Sequence, residues 1–339
     1  MNTIYDISPE LSNPKADDNA KRLMKYLADT FGKKVIAGWT SDPPTVYEFQ
    51  AVKKITGREP AVIGMDFGGA PGGEDLDSVE RVIRYAIDWD KKGGIVTFQI
   101  HWKDPRDHRN FYNEGVEFDL VQALDDPGCG DHDALIKDID TIAECLGRLR
   151  DAGVPVIWRP LHEAEGRWFW WGNKGPEPYK KLWRLMYDRM TNYHSLTNLI
   201  WSWNAPHKDW FPGGDVIDLA SADMYIGAHT HGSYLPSFSN LADILNLYNV
   251  KKYIYTAEVD SVPDIEAMQR DNAMWGMFLP WTGGTAYQVK EGTWRDPVLD
   301  ENGTPRYSEE INSSDTVKKL FSDERVITLD RLPNLKTYS

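Results

Sequence analysis

Residues 156–163 read VIWRPLHE, a short apolar run that ends in a histidine and a glutamate. A run of this length, flanked by helical patterns, is typical of a strand buried inside a parallel sheet. Seven further runs of this kind occur along the chain, at residues 34–38, 61–67, 95–101, 198–203, 218–225, 253–258 and 276–281. The sequence therefore predicts eight strands.

Helical periodicity lies between these strands. Residues 17–31 place Leu23, Leu27 and Phe31 on one face at spacings of four, which predicts an amphipathic helix. Gly153 falls where a helix should end before the next strand. Further helices are predicted at residues 45–55, 77–92, 134–151, 177–192 and 240–248, and residues 303–339 are expected to hold the last helix and a tail.

The repeated alternation of strand and helix predicts an α/β protein, and eight such units predict a single (β/α)8 TIM barrel. We expect one barrel domain over residues 1–339, with residues 1–16 and about 330–339 as terminal extensions. An open doubly wound sheet is the alternative. The glycine-rich residues 68–73, GGAPGG, have neither the G-x-G-x-x-G spacing nor the lysine of a phosphate-binding loop. They are interpreted as a flexible loop.

Composition narrows the class of partner. The 339 residues carry a formal net charge of −14, and 41% of them are hydrophobic, which is enough for one large core. Nucleic acids require clusters of Lys and Arg, and so do anionic membrane surfaces, so neither is an expected partner. A neutral polymer such as a polysaccharide is not repelled by an acidic surface.

The chain is rich in aromatic residues, with 14 Trp and 16 Tyr. A large core can bury many of them. Flat aromatic rings also cover the C–H faces of sugar rings at low entropic cost. The composition leaves both interpretations open.

The two cysteines, Cys129 and Cys145, form no C-x-x-C pattern. We expect free or structural thiols rather than catalytic ones. The sequence leaves open whether the two pair.

The N-terminal residues 1–18 lack the charged and then apolar pattern of a signal peptide. No stretch of the chain approaches the ~20 consecutive apolar residues of a membrane span. Either the chain is cytoplasmic, or a signal has been removed and a start methionine added.

Polar and aromatic residues cluster at the ends of the predicted strands. In a (β/α)8 barrel, the active site forms at the carboxyl ends of the strands. The residues found there are Asp66, His101, Trp102, His162, Glu163, Trp203, Asn204, Asp223, Tyr225, Glu258, Asp260 and Trp281. This ring offers carboxylates, imidazoles and aromatic rings, but no serine-based triad and no Schiff-base lysine.

Glu163 and Glu258 end the fourth and seventh predicted strands, which face each other across a closed barrel. Breaking a glycosidic bond requires a proton on the leaving oxygen and an anion that faces the developing oxocarbenium charge, and two carboxyl groups can divide these tasks. Three other interpretations stay open at this point. They are an ion pair between Glu163 and Arg159, a buried structural role for Glu258, and a metal site that includes His101 and His162.

Residues 158–172 read WRPLHEAEGRWFWWG. This segment resembles glycoside hydrolase family 26, which is known chiefly for β-mannanases, and R-P-L-H-E followed by W-F-W-W-G is highly specific to that family. The resemblance continues through LIWSWNAP, DMYIG, YTAEVDS and PWTGG, and it covers roughly residues 35–297. It implies a retaining (β/α)8 hydrolase with one catalytic glutamate on strand four and another on strand seven.

Matched motif by motif, the resemblance implies that Glu163 is the general acid/base and that Glu258 is the nucleophile. Tyr225 would hold and orient the nucleophile. His101 would line the subsite of the sugar whose bond is cut. Trp168 would form a stacking wall beside the acid/base.

The same match extends to residues farther from the two glutamates. It implies that His162 forms a hydrogen bond near the nucleophile or the sugar, and that Trp294 and Arg295 contact sugar after strand eight. The full set of residues expected to bind substrate is His101, Trp102, Arg159, His162, Trp168, Tyr225, Trp281, Trp294 and Arg295.

Arg159 lies four residues before Glu163, and because strand side chains alternate, we expect both on the same side as Leu161. Arg159 can then pair with a catalytic carboxylate and hold it ionised or oriented. A general acid must be protonated near neutral pH, so the pKa of Glu163 should be raised by burial or by the charge on Glu258. Glu165 adds another acid close by, and we expect its side chain to point to solvent.

The leading hypothesis is a retaining endo-β-1,4-mannanase that hydrolyses mannan, galactomannan or glucomannan by double displacement. An enzyme acting on mixed-linkage β-glucan or β-1,3-xylan, or an exo-acting mannan enzyme, is the alternative, because substrate choice depends on loops. Two hypotheses come from other classes. A carbohydrate-binding protein on a degenerate barrel would lack a catalytic glutamate, and a metal-dependent hydrolase would be inhibited by a chelator.

We expect no cofactor and no catalytic metal. The expected partners are β-mannan-type polysaccharides or manno-oligosaccharides, bound by a monomer, with neither nucleic acid nor membrane involved. Because polysaccharides do not cross membranes, we expect a secreted or extracellular protein whose signal peptide has been removed.

Overall fold

A closed parallel barrel of eight strands forms the centre of the protein. The computed structural model describes residues 4–41, 46–72, 76–282 and 299–339. The barrel strands are β1 (Val35–Thr40), β2 (Val62–Asp66), β3 (Ile95–Gln99), β4 (Val156–Arg159), β5 (Leu199–Trp203), β6 (Leu219–Met224), β7 (Tyr253–Val259) and β8 (Met277–Pro280). Each strand pairs in parallel with the next, and β8 pairs with β1, which closes the ring.

Helices surround the ring and connect most of its strands. They are α1 (Asp18–Thr30), α2 (Tyr47–Thr56), α3 (Leu76–Lys91), α4 (Leu120–Asp125), α5 (Gly130–Asp151), α6 (Pro176–Asp188), α7 (Leu235–Leu247), α8 (Ile265–Arg270) and α9 (Ser314–Ser322). A π-helical turn, Arg189–Tyr193, continues α6, and a short strand, β9 (Val326–Ile327), pairs with the start of β1. Within the described ranges, no helix combines the length and the apolar character that a membrane crossing requires.

α1 illustrates how these helices are attached to the barrel. Asp17 caps its first turn by accepting a hydrogen bond from the backbone N–H of Ala20 at 2.9 Å. Its apolar face buries Leu23 and Leu27 completely or nearly so. Burial of one leucine side chain contributes about 1.5–3 kcal/mol, so an amphipathic stripe is enough to fix such a helix against the strands.

The predicted fold class, a (β/α)8 TIM barrel, is confirmed, and each predicted strand segment overlaps a barrel strand. The largest difference among the strands lies at β4, which ends at Arg159 although the sequence pattern predicted a strand through residue 163. Pro160 follows and has no backbone N–H for the ladder. Leu161 and Glu163 then adopt positive φ angles of 52° and 53°, so the chain leaves the sheet in a tight turn.

Some helix boundaries differ from the prediction as well. α7 begins at Leu235, before the predicted start at residue 240, because Pro236 is accommodated in its first turn. α4 and α8 were not predicted, because six residues each are too few to show a helical period.

Most tryptophans of the described residues pack inside the protein. The buried ones are Trp39, Trp89, Trp102, Trp158, Trp170, Trp171, Trp183, Trp201, Trp203, Trp210 and Trp275. Trp168 is 44% exposed, and Trp281 is partly exposed. Core packing therefore accounts for most of the aromatic content, and two indoles in the described ranges stay available to a ligand.

The two cysteines are free. Cys129 lies at the start of α5, where its Sγ accepts a hydrogen bond from the backbone N–H of His132 at 3.4 Å. Burial raises the pKa of the Cys145 thiol to about 11, and a thiol that stays protonated is a poor nucleophile. Both observations agree with the expectation of free or structural thiols.

The interior of the barrel contains hydrogen-bonded polar side chains as well as apolar ones. Tyr255 OH lies 2.7 Å from Ser202 Oγ, which in turn lies 3.4 Å from Ser221 Oγ. Thr97 Oγ1 donates to the Ile157 carbonyl oxygen at 3.0 Å. Buried hydroxyls are costly unless they are hydrogen-bonded, so these pairs fix the interior side chains in place.

Replacing Tyr255 by phenylalanine should lower the free energy of unfolding by about 1–3 kcal/mol, because the buried Ser202 hydroxyl loses its closer partner. Urea denaturation followed by circular dichroism measures this change. The matched control is Tyr193→Phe, at a residue that is 70% exposed, and it should change the free energy by less than about 0.5 kcal/mol. Equal effects in the two variants would contradict the role assigned to the buried pair.

Candidate active site

Three carboxyl groups meet at the carboxyl ends of β4, β6 and β7. Asp223 lies on β6, Glu258 lies on β7, and Glu163 lies in the turn that follows β4. One oxygen of each carboxyl group lies within 4.8 Å of the others. Carboxylates at such separations repel one another, so a nearby cation or bound protons must compensate their charges.

The guanidinium of Arg159, at the end of β4, supplies a compensating charge. Its Nη1 donates to Asp223 Oδ2 at 2.7 Å, and its Nη2 donates to Glu258 Oε1 and to Gln99 Oε1. Arg159 and both carboxylates are buried, and guanidinium–carboxylate bonds of this kind fix orientation as well as charge. The expectation that Arg159 pairs with one of the two predicted glutamates is confirmed, and its partner is Glu258.

Both oxygens of Glu258 are held by donors. Arg159 binds Oε1, and the Tyr225 hydroxyl donates to Oε2 at 2.5 Å. Burial raises the pKa of Tyr225, and the charge on Glu258 raises it further, so the hydroxyl keeps its proton and remains a donor. The Glu258 carboxylate is therefore fixed in one orientation.

Glu163 is positioned through its backbone and by one indole. Its backbone N–H donates to the Asn204 carbonyl oxygen at 2.7 Å and also approaches Asn204 Oδ1 at 3.1 Å. Trp168 Nε1 donates to Glu163 Oε2 at 3.1 Å. Burial raises the pKa of Glu163, and the charge on Glu258 raises it further. The expectation of a raised pKa is confirmed.

Asn204, directly after β5, connects Glu163 to Asp223, which Arg159 links in turn to Glu258. Its Nδ2 donates to Asp223 Oδ1 and to Ser221 Oγ, each at 3.0 Å. The same residue accepts the backbone N–H of Glu163. The turn that carries Glu163 is therefore tied to the Arg159 network through one buried amide.

Asp66, His101 and His162 form a chain of contacts at the ends of β2, β3 and β4. His101 Nδ1 lies 2.6 Å from Asp66 Oδ2, and His101 Nε2 lies 3.3 Å from His162 Nε2. Burial lowers the pKa of His101, but the Asp66 carboxylate outweighs burial and leaves this pKa raised. Burial and the charge on Arg159 hold the pKa of His162 well below its usual range. His162 is therefore a neutral ring.

A cavity of about 600 Å³ opens beside this chain of contacts, at the ends of β1, β2, β3 and β8. His101 and Trp281 lie on its wall with ring centroids 5.8 Å apart. Tyr112, which is 45% exposed, and Lys103 line it farther out. Aromatic walls with a few polar groups and volumes of about 300–1,000 Å³ are typical of small-molecule sites, so this cavity has room for part of a glycan.

The three clustered carboxylates could also serve as metal ligands. Arg159 already binds two of them, so a guanidinium brings the positive charge that a cation would supply. His101 and His162 contact each other instead of converging with those carboxylates. The geometry therefore favours acid–base and nucleophilic chemistry over the metal interpretation.

Comparison with known proteins identifies the family. A sequence profile described as glycosyl hydrolase family 26 matches residues 12–294. The chain belongs to glycosyl hydrolase family 26. A mannan endo-1,4-beta-mannosidase of Thermothelomyces thermophilus is 36% identical over 342 residues, which cover 97% of this chain and 64% of the relative. Mannan endo-1,4-beta-mannosidase B of Piromyces sp is 32% identical, with 98% and 55% covered. The chain thus spans about half to two thirds of these relatives' lengths.

Solved structures of the family share the fold. The crystal structure of a Podospora anserina GH26-CBM35 β-(1,4)-mannanase matches with a TM-score of 0.83 and 34% identity, covering 99% of this chain and 72% of that one. A β-mannanase from a symbiotic protist of the termite Reticulitermes speratus, complexed with gluco-manno-oligosaccharide, matches with a TM-score of 0.83 and 31% identity, covering 97% and 99%. The barrel described above is therefore the family 26 barrel.

Three residues expected to bind substrate are buried in this family 26 chain. Trp102 is fully buried, and its Nε1 donates to Asp138 Oδ2 at 2.9 Å. The side chain points to α5 because β3 already ends at Gln99, so the ring lies behind the cleft. Arg159 and His162 are buried as well, 2% and 0% exposed. Their sugar contacts stay predictions; in the structure Arg159 binds Glu258 and Asp223, and His162 contacts His101.

The other predicted binding residues fall into two groups. His101, Trp281, Tyr225 and Trp168 reach the cleft or the adjoining cavity, and their sugar contacts stay predictions. Trp294 and Arg295 lie outside the described residues.

Glu165 does not point to solvent, and that prediction was wrong. Its Oε2 is buried and has no hydrogen-bond partner. Burial raises the pKa of Glu165 to about 7, and the charge on Glu163 contributes to the rise. The turn after β4 directs this side chain inward, which the sequence pattern did not reveal.

Four polar residues of the site were not selected from the sequence. Asp66, Asn204 and Asp223 were noted at strand ends but given no role, and Gln99 was not noted. The two-residue alternation along β3 places Gln99 on the same face as His101, and this signal could have found it. An amide has no charge and no nucleophilic chemistry, so a search for reactive side chains passes over it.

Glu258→Gln should lower the pKa of Glu163, because it removes the nearby charge that helps to raise this pKa. NMR titration of isotope-labelled side-chain carboxyl groups, assigned with Glu163→Gln, measures the shift. Glu177→Gln, on α6 with a side chain that is 76% exposed, is the matched control and should have no effect. An unchanged pKa in Glu258→Gln would mean that burial alone sets the value.

Proposed function

We propose that this protein is a retaining endo-β-1,4-mannanase that hydrolyses mannan, galactomannan or glucomannan by double displacement. The observation that carries the proposal is the separation of at most 4.8 Å between an oxygen of Glu163 and an oxygen of Glu258. Retaining glycosidases place their two carboxyl groups about 5–5.5 Å apart, whereas inverting enzymes leave about 6.5–9.5 Å for a water molecule. The short separation favours retention.

In the first step, Glu258 attacks the anomeric carbon of the sugar, and the bond from that carbon to the glycosidic oxygen breaks. Glu163 gives its proton to the departing oxygen, so the leaving sugar departs as an alcohol and a glycosyl ester remains on Glu258. Arg159 and Tyr225 hold the attacking carboxylate by its two oxygens. The raised pKa of Glu163 suits this residue to carry the proton.

In the second step, water replaces the leaving sugar. Glu163 takes a proton from the water, whose oxygen attacks the anomeric carbon and releases Glu258 as a carboxylate. Once Glu258 is esterified, its charge no longer raises the pKa of Glu163, so the pKa falls and the carboxylate form acts as a base. One residue can therefore serve as acid and then as base.

The choice of a mannan rests on the relatives. Those compared above are named mannan endo-1,4-beta-mannosidases, and one solved relative carries a gluco-manno-oligosaccharide. Trp168 beside Glu163 and Trp281 in the cavity wall offer indole faces to a bound sugar. We propose internal cutting because the relatives compared above are named endo-acting enzymes.

We also propose that residues 1–339 form one catalytic domain, with residues 1–16 and about 330–339 as terminal extensions, and that the protein binds its substrate as a monomer outside the cell. The C-terminal residues pack on the barrel, where Lys336 Nζ binds Asp90 Oδ1 at 2.7 Å and Tyr338 OH binds Asp29 Oδ2 at 2.9 Å. A polymeric substrate that cannot cross a membrane supports the extracellular location.

Reducing-sugar release from galactomannan, glucomannan, mixed-linkage β-glucan and β-1,3-xylan tests the substrate. We expect release from the two mannans and its loss in Glu258→Gln, since an amide is not a nucleophile. Glu177→Gln is the matched control and should stay active. Release only from β-glucan or xylan would keep the mechanism and change the substrate. Activity that survives in Glu258→Gln would refute the assignment of the nucleophile.

Glu163→Ala tests the acid/base. It should reduce kcat/KM on glucomannan by about a hundredfold to ten-thousandfold. On dinitrophenyl β-mannobioside, whose leaving group needs no proton, the rapid release of dinitrophenol should persist, and added azide should yield a β-mannobiosyl azide. Wild type and Glu177→Ala are the controls. Equal losses on both substrates, without azide product, would assign the acid role to another group.

A further inference from the structure

The carboxyl group of Glu165 is buried directly behind the acid/base. Glu165 lies in a short helical turn, Ala164–Gly166, that follows Glu163. Its Oε2 is inaccessible to solvent and has no hydrogen-bond partner. A hydrogen bond with its own backbone offsets only part of the cost that burial places on the charged form, and an uncharged carboxylic acid largely avoids that cost.

The Tyr179 hydroxyl, on α6, is the buried polar group that acts on Glu165 from a neighbouring element. Tyr179 is fully buried, the charge of Glu165 acts on it, and Trp203, at the end of β5, acts on it as a hydrogen-bond partner. Glu165 and this hydroxyl can share one hydrogen bond in either protonation state of Glu165, because the hydroxyl can donate as well as accept. Only the neutral acid avoids the cost of a buried charge that no cation among the described residues compensates.

No cation compensates Glu165 within the described residues. The titratable groups that act on it are Glu163, in the same turn, and Tyr179, on α6. The nearest arginine in sequence, Arg167, is directed instead to the ring of Trp210, with its Cζ 5.9 Å from the ring centroid. Burial and the like charge of Glu163 together raise the pKa of Glu165 to about 7.

The turn that contains Glu165 is tightly packed. A Cβ at Gly172 would lie 2.3 Å from the Ala164 carbonyl oxygen, and a Cβ at Gly166 would lie 1.9 Å from the ring of Trp168. The Trp171 indole donates to the His162 carbonyl oxygen at 2.9 Å. Any movement needed to hydrate Glu165 would therefore move Trp168 and the backbone of the acid/base with it.

We propose that Glu165 is a positioning residue for the acid/base: as a neutral carboxylic acid it holds the turn of residues 163–168 against Tyr179, and loss of its proton displaces the turn and disables Glu163. The proposal rests on the acid/base role proposed above for Glu163. Its consequence is that two carboxyl groups, one reacting and one supporting, must both be protonated for the first step.

Thermal unfolding between pH 4 and pH 8 tests whether Glu165 is held as a neutral acid. A carboxyl whose pKa is higher in the folded than in the unfolded protein destabilises the fold as pH rises, because the unfolded chain releases its proton first. For Glu165 this window runs from about 4.3 to about 7. Across this window, the melting temperature of wild type should fall relative to that of Glu165→Gln. Above the window, the difference between the two melting temperatures should stay constant. Glu177→Gln, the exposed control on α6, should show no such divergence.

The pH dependence of kcat/KM on glucomannan tests the effect on the acid/base. At alkaline pH, kcat/KM of wild type should fall with a slope that approaches the loss of two protons. In Glu165→Gln, the slope should correspond to the loss of about one proton, and the fall should begin at higher pH. Glu165→Ala, which cannot donate to Tyr179, should lower kcat by up to about a hundredfold with little change in KM. If kcat is low in Glu165→Ala but close to that of wild type in Glu165→Gln, a neutral side chain of the same shape is sufficient and the charge of Glu165 is not required.

Each outcome decides the proposal. Melting curves of wild type and Glu165→Gln that stay parallel across the window would overturn it, because Glu165 would then be ionised in the folded protein. If the melting temperatures diverge but kcat/KM of the two proteins falls identically at alkaline pH, Glu165 is a buried acid that does not influence Glu163. That result would also overturn the proposal. If wild type cleaves no glycan, the function proposed for the site fails and the positioning role falls with it, while the melting curves still report the protonation of Glu165.

Discussion

The buried guanidinium of Arg159 is the constraint on which the upper end of the barrel depends. It contacts side chains from β3, β6 and β7 while belonging to β4. Removing one partner from such a buried ionic group typically costs about 3–5 kcal/mol, because the remaining charges lose their compensation. The same contacts that close this end of the barrel also orient Glu258, so the fold and the reactive carboxylate are held by one interaction.

The two glutamates differ in their surroundings, and this difference supports the roles proposed for them. Glu258 receives one donor on each oxygen, from Arg159 and Tyr225, and such bonds are made to a carboxylate. Glu163 has an indole N–H as its side-chain partner, and burial and the charge on Glu258 raise its pKa. These surroundings support the proposal that two side chains of the same type perform opposite tasks.

Much of this arrangement could be predicted from the sequence, because parallel strands buried on both faces appear as near-continuous apolar runs. Once the runs were found, their ends indicated Glu163, Glu258 and Tyr225, and the W-F-W-W-G segment indicated the family. What the sequence did not contain was the path of the chain after a strand ends. Because β3 and β4 end earlier than predicted, Trp102 faces a helix and Glu165 faces the interior.

The roles of the two amide side chains that support the site could not be predicted from the sequence for a different reason. Gln99 and Asn204 carry no charge, and their value lies in fixing other side chains at distances near 3 Å. Such roles depend on where strands meet in space, and spacing along one chain does not report them. Buried polar networks of this kind become visible only when the donors and acceptors of neighbouring strands are considered together.

The left-handed backbone at Glu163 has a consequence for the engineering of this barrel. A residue with a side chain adopts φ near 53° at a cost of roughly 1–2 kcal/mol, and glycine does so without it. A search for heat-resistant variants would therefore find a gain in Glu163→Gly, which also removes the carboxyl group. Selection for stability alone would thus favour a barrel without the group to which we assign the acid role.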